Sequence, residues 1–318
     1  MAYRLKLKEP LVKGVRRIAS EQLANAAARL QSDADTETSV HEARKCLKRT
    51  RALLRLVRPG LGEARFRELN QRLRDVARAL SAARDRDVVR RLLTQIADGK
   101  PSQARAAQRF LAALDATSTA APEPAQAGRD IAEAAREIEA VQRGLDDIGL
   151  DPPGIDTIVA GLTKCHRSGR KALERALEHP EDEEALHDLR KSAQAYWRQM
   201  ILMQHAWPEA CLARAGAAKV VADLLGQDHD VALLESVLAG PEASALSRSD
   251  HGVLSRACKA RHGELRSIAL PKAQLLFIEK SESLGERMRE LWEASRRAAK
   301  SSAASSSDDV AATERKTS

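Results

Sequence analysis

Two short segments of this chain are nearly the same. Val40-His41-Glu42-Ala43-Arg44-Lys45 and Leu186-His187-Asp188-Leu189-Arg190-Lys191 both read apolar, His, acid, any residue, Arg, Lys, and they lie about 146 residues apart. The likeness continues in the same order on either side. Gly14-Val15-Arg16-Arg17 faces Gly161-Leu162-Thr163-Lys164 upstream, and Leu80-Ser81-Ala82-Ala83-Arg84-Asp85 faces Leu225-Gly226-Gln227-Asp228-His229-Asp230 downstream. A repeat at this period predicts one structural unit built twice.

Composition says what that unit is made of. Aromatic residues are only 3% of the chain, and Ala, Leu, Arg and Glu dominate. That mix favours helix and starves a sheet of the β-branched and aromatic residues it needs. An all-α fold is expected. Two breaker-rich stretches lie between the copies: Ser118 to Gln126, with Pro122 and Pro124, and Gly149 to Gly154, with Pro152 and Pro153. The boundary is expected at the second. Repeat 1 then covers about residues 3–150 and repeat 2 about 151–297, together one domain over 1–297. Each half has room for a four-helix bundle, and the two are expected to be related by a pseudo-two-fold axis. From Ala298 to Ser318 the chain is rich in Ser, Ala and Lys without periodicity, which predicts a disordered tail.

Helix starts are legible. Asp33 to Ser39 is acidic and small ahead of the His41 helix, and Pro180 to Glu184 is acidic ahead of the His187 helix. Both suit the positive end of a helix dipole. From about Ala64 onward, Phe66, Leu69, Leu73, Val76, Leu80 and Ala83 fall at spacings of three and four, the pattern of a packed seam.

The N-terminus is charged but has no apolar run after it, so no secretory signal is expected. No window approaches 18 apolar residues, so neither is a membrane span. Cys46, Cys165, Cys211 and Cys258 are scattered, as expected of reduced thiols in a cytosolic protein. Cys258 and His262 share a helical face, but with no further ligand at usable spacing they read as a buried Cys beside a surface His.

The informative chemistry lies on the first His helix. Rotated at about 100° per residue, Lys48, Arg55, Arg44 and Lys45 fall within roughly 60° of His41, with Arg49 and Arg51 at the margins. Ala43, Cys46, Leu47, Thr50, Leu53, Leu54 and Val57 take the other side. Seven Lys and Arg between His41 and Arg58 meet one acid, Glu42. Ordinary solvated faces mix signs, because like-charge pairs cost roughly 0.2–0.5 kcal/mol each. A strip of one sign calls for a dense anion. Arg67, Arg74, Arg78 and Arg84 lie away from the neighbouring seam, with Lys219 in the place of Arg74 in the second copy. Arg16 and Arg17 are further candidates. The second strip is thinner: Gln194, Trp197 and Ile201 replace Lys48, Arg51 and Arg55, while Arg190, Lys191 and Arg198 remain. Nearby cations should keep His41 and His187 neutral, each donating one hydrogen bond to an anion. Arg44 and Lys48 point away from the seam, so changing both to Ala should weaken anion binding without unfolding the chain.

The net charge of +8 agrees with an anionic partner. No helix-turn-helix or zinc pattern is present, and the basic helices carry no aromatic but Phe66 and Trp197, so stacking of bases is not provided for. The pattern suits phosphate. His187-Asp188 and His229-Asp230 would suit an HD-type metal phosphohydrolase, but their counterparts are His41-Glu42 and Arg84-Asp85, and a metal sits poorly among so many cations. A general nucleic-acid-binding helical protein is the other alternative. No catalytic nucleophile, Walker loop or cofactor motif stands out.

Two copies of His-x-x-Arg-Lys, each followed by Leu-(Gly/Ser)-x-x-(Arg/His)-Asp, resemble the CHAD (conserved histidine α-helical domain) family. Glu9 to Arg17 and Arg287-Met288-Arg289-Glu290-Leu291-Trp292 extend the resemblance to about residues 3–297. It implies two four-helix bundles around a basic surface, inorganic polyphosphate bound there without catalysis, and association with cytoplasmic polyphosphate granules. By position, the implied contacts are His41, Arg44, Lys45, Lys48, Arg49, Arg51, Arg74, Arg78, His187, Arg190, Lys191 and Lys219; the strip adds Arg55, and the first helix adds Arg16 and Arg17. Neither a metal nor a cofactor is implied. Some relatives carry a triphosphate-tunnel domain with a Glu-x-Glu-x-Lys motif; Glu137-Ile138-Glu139 lacks the Lys, which points to a stand-alone CHAD protein.

Overall fold

The computed structural model describes residues 3–32, 36–80, 82–117 and 124–314, with side chains at 3–32, 37–80, 86–116 and 128–301. Every regular element among them is helical. In the first half α1 (Leu11–Leu30), α2 (Thr36–Leu61), α3 (Glu63–Ala79), α4 (Ala82–Ala97), α5 (Pro101–Thr117) and α6 (Pro124–Asp146) follow one another. The second half holds α7 (Ile155–Glu178), α8 (Glu183–Leu202), α9 (Pro208–Leu238), α10 (Arg248–Leu276) and α11 (Ser281–Glu314). Residues 147–154, with Pro152 and Pro153, form the non-helical stretch between α6 and α7. The Ser118–Gln126 stretch falls largely outside the described residues, as do the side chains of Ser81–Asp85.

Local chemistry sets the ends. Asp182 caps α8 by accepting from the Glu184 and Ala185 amides at 2.8 and 3.2 Å. Gly62, at φ 81°, turns the chain from α2 into α3, a left-handed conformation that only glycine adopts without strain. The seam on α3 is buried as its spacing predicts, with Phe66, Leu69, Leu73, Val76 and Leu80 inside. One expectation changes: α11 continues as helix to Glu314, through most of the segment read as a tail. Its Ala, Ser and Lys lack an apolar stripe, but their helix propensity is adequate.

The order of packing recurs between the halves. α1 lies on α2 and α6 as α7 lies on α8 and α11; α2 meets α3 as α8 meets α9; α4 meets α5 as α9 meets α10. The long α9 takes the place of both α3 and α4. The apolar core, however, does not divide where the chain does. One large cluster joins α1, α2, α3 and α6 to α7, α8, α11, the first part of α9 and the end of α10. A smaller one joins α4 and α5 to the end of α9 and the start of α10. Residues 40–61 therefore sit in the middle of the molecule, with α1, α3, α7 and α8 all packed on α2.

Candidate anion-binding cleft

The central position of α2 rests on one close approach. A Cβ at Gly161 of α7 would stand 1.7 Å from the Leu56 carbonyl oxygen of α2, so only glycine lets these helices meet. Ala52 and Leu56, on the side of α2 where Arg51 and Arg55 emerge, are buried as completely as the opposite side. Lys48, Arg51, Arg55 and Arg58 are thus half-buried rather than on a solvated face, while His41, Lys45 and Arg49 stay exposed. That half-buried part lies among α3, α7 and α8.

Two adjoining clefts form there. A cleft of about 390 Å³ is lined by Lys48, Arg51 and Arg55 from α2, Asn70 and Arg74 from α3, and His187, Lys191, Gln194 and Arg198 from α8. No carboxylate lines it. Arg55 and Lys191 also border a second cleft of about 540 Å³, which adds Arg58 from α2 and Lys164, Lys171 and Arg175 from α7. Asp188 is the one acid lining the second cleft.

The charges are not balanced internally. Arg51, Arg55, Arg74 and Arg198 make no ion pair among the described residues. Arg51 donates instead to the neutral Asn70 amide oxygen at 3.0 Å, and Arg198 to the Gln194 carbonyl at 2.8 Å. Burial, aided by the guanidiniums of Arg55 and Arg74, pulls the Arg51 pKa down to about 10. Burial likewise brings Arg198 to about 10, with Arg49 and Arg55 lowering it further and Tyr3 opposing. Arg55 is lowered by burial and by Arg58. Arg51 and Arg198 stay protonated at neutral pH, and the downward shifts of all three record the cost of crowding like charges out of water. His187 is held down at about 4 by burial first, then by Lys191, His229 and Arg190, so its imidazole is neutral as expected.

The CHAD domain family matches residues 17–239, well over half of the chain. The chain belongs to the CHAD family. No curated protein matches it.

Within this CHAD fold the candidates separate into three groups. Lys48, Arg51, Arg55, Arg74, His187 and Lys191 come together in the first cleft. Others lie outside the lining of either cleft and are engaged elsewhere. Arg44 donates to the Ala77 and Leu80 carbonyls at the end of α3, at 3.0 and 3.1 Å. Lys45 pairs with Glu42, Arg78 with Asp75, and Lys219 with Asp223 while lying over the Trp197 ring. His41 is exposed near the start of α2, and Arg190 packs beside Gly226 of α9. The third group belongs to the scaffold. Arg16 donates to the Ile148 carbonyl, Arg17 binds Glu9, Glu21 and the Arg4 carbonyl, and Arg49 reaches Gln22 and lies over Tyr3. None of these three lines either cleft. The expectation for Arg44 therefore changes, since its loss would also strip carbonyl partners from α3.

Sequence reasoning missed Asn70, Arg58, Lys171 and Arg175, and used Lys164 only as a repeat marker. The signal was available on α7, where Lys164, Ser168, Lys171 and Arg175 recur at spacings of three and four. His262 is also corrected: it is buried, not on the surface, with Nδ1 2.6 Å from Asp228 and Nε2 3.3 Å from Glu235. The aspartates of the two His-Asp pairs are both engaged by cations. Asp188 is held by Arg175 and Lys191, and Asp230 faces Arg91 at 3.5 Å. No group of three His, Cys, Asp or Glu stands ready for a metal among the described residues. No described helix is long and apolar enough to cross a membrane.

Proposed function

We propose that the protein binds inorganic polyphosphate along the two clefts, without catalysis, and that this binding places it on polyphosphate granules. The observation that carries this is a half-buried cleft with six Lys and Arg and no acid in its lining. CHAD domains bind polyphosphate-type ligands, which fits. Crowded cations are costly in the empty protein, and a polymer with one negative charge per phosphate relieves every repulsion at once. Continuity through Arg55 and Lys191 gives such a polymer a path from one cleft to the other. Each phosphate neutralised releases counterions, so affinity should fall steeply with salt.

A general nucleic-acid site is the other reading. Its difficulty is the lining, which offers no Phe, Tyr or Trp ring for a base and only the His187 imidazole, itself set against His229; Trp197 is engaged with Arg198 and Lys219 instead. A competition titration separates the two. Labelled long-chain polyphosphate is bound at about 0.15 M salt, where exposed charges are screened beyond roughly 8 Å. Single-stranded DNA of equal total charge is then added. Failure of DNA to displace the polymer supports a dedicated phosphate site; one-for-one displacement makes the cleft a generic polyanion surface.

A further inference from the structure

We infer that His187 takes up a proton when the cleft fills, so that anion binding tightens as the pH falls. This rests on the reading of the cleft as a polyphosphate site, and it adds a regulation of that site.

His187 lines the first cleft beside Lys191. Its Nδ1 is buried and has no hydrogen-bond partner among the described residues. Its ring lies against that of His229 from α9, with centroids 5.2 Å apart and planes tilted by 32°. The charges around it come from every neighbouring helix. α8 supplies Asp188, Arg190, Lys191 and Arg198; α9 supplies His229; α2 supplies Lys48, Arg51 and Arg55; α3 supplies Arg74. Asp188, the one carboxylate in this set, is already shared between Arg175 and Lys191. Without the anion a proton on His187 is opposed first by burial and then by Lys191, His229 and Arg190, with Asp188 alone favouring it, and a second imidazole lies against it.

A polyanion reverses that balance. Its oxygens place negative charge among the same cations and offer acceptors to the ring. The imidazole, at about 4 in the free protein, then moves up toward its ordinary value near 6.5. Between those two values the complex holds a proton that the free protein lacks, and linkage requires affinity to rise as pH falls through that window. Above the bound value the effect vanishes.

The test is the affinity for long-chain polyphosphate at constant ionic strength from pH 5 to 8, with circular dichroism confirming the fold at each pH. The interior phosphates of a long chain stay ionised throughout, so the ligand adds little slope of its own. The wild type should tighten by up to about tenfold per pH unit below pH 6.5 and be flat above pH 7.5. His187→Gln should lose the slope, whatever its absolute affinity. Calorimetry of the wild type in two buffers of different ionisation enthalpy reads the same proton directly. Uptake approaching one proton per site near pH 5.5 is expected, and this arm needs no variant. Binding with no proton uptake, or an unchanged slope in His187→Gln, overturns the inference and leaves the polyphosphate reading standing. Absence of polyphosphate binding at every pH overturns that reading itself.

Discussion

Arg17 donates to Glu9 at 2.6 Å and to the Arg4 carbonyl, whereas Arg51 donates to a neutral amide and stands among other cations. The two are alike in a sequence and opposite in role. Arg17→Ala should leave polyphosphate affinity nearly unchanged and lower stability, because it removes a part-buried ion pair and the tie to the N-terminal segment. Arg51→Ala, or Lys191→Ala, should weaken binding by on the order of tenfold, the worth of a charge-assisted hydrogen bond, and flatten the salt dependence by about one contact. Titration at several salt concentrations with parallel urea denaturation separates the two outcomes. His166 makes a prediction of a different kind. It is fully buried, its Nδ1 lies 2.9 Å from the Ser281 hydroxyl, and burial lowers its pKa to about 4. The unfolded chain binds this proton near pH 6.5 and the folded one does not until near pH 4. Its contribution is therefore complete above pH 6.5 and is lost as pH falls toward 4, by up to ~3 kcal/mol. Denaturant unfolding at pH 7.5 and 5 should show the drop, and bound polyphosphate should not abolish it, since His166 lies outside the clefts.

At the scale of elements, the meeting of α2 and α7 decides whether there is a cleft at all. Gly161→Ala places a methyl carbon where the Leu56 carbonyl already is, so the helices must separate. The cost should lie at or above the upper end of the ~1–3 kcal/mol typical of overpacking. The same separation moves Lys164, Lys171 and Arg175 away from Arg55 and Arg58, so the folded fraction should also bind polyphosphate more weakly. Gly263, by contrast, has open space where its Cβ would be, and Gly263→Ala in α10 should be neutral or slightly stabilising. Urea midpoints of the two variants, with a titration of each, check both statements. The seam of α3 and the acidic start of α8 were legible because they are local: a spacing of three and four on one helix, and a capping Asp182 two residues before the amide it holds. The sharing of α2 between the halves was not, since it depends on a glycine about a hundred residues further along the chain.

For the molecule as a whole, the clefts present six to ten Lys and Arg to one polymer. A plot of log affinity against log salt should then have a slope on the order of −4 to −7, taking about 0.7 counterions per contact as for a flexible single strand. Polyphosphate at a hundred times its dissociation constant should stabilise the fold by about 2.7 kcal/mol. Orthophosphate at equal total phosphate should do far less, because it cannot bridge the cations. Thermal melts with the two ligands over a salt series provide the measurement.

The sequence alone determined the helical class, the doubled His-x-x-Arg-Lys motif and the excess of cations over acids around His41, because composition, periodicity and charge are properties of residues near one another in the chain. It pointed to a dense anion for the same reason. Which cations meet was decided only by the tertiary structure. Arg16, Arg17 and Arg49 turn toward backbone carbonyls and partners of the scaffold, while Lys164, Lys171 and Arg175 of α7 arrive beside α2. A helical wheel assigns a side chain to a direction but does not say what fills that direction. Here α3, α7 and α8 fill it, turning what would be a solvated basic face into a half-buried cleft.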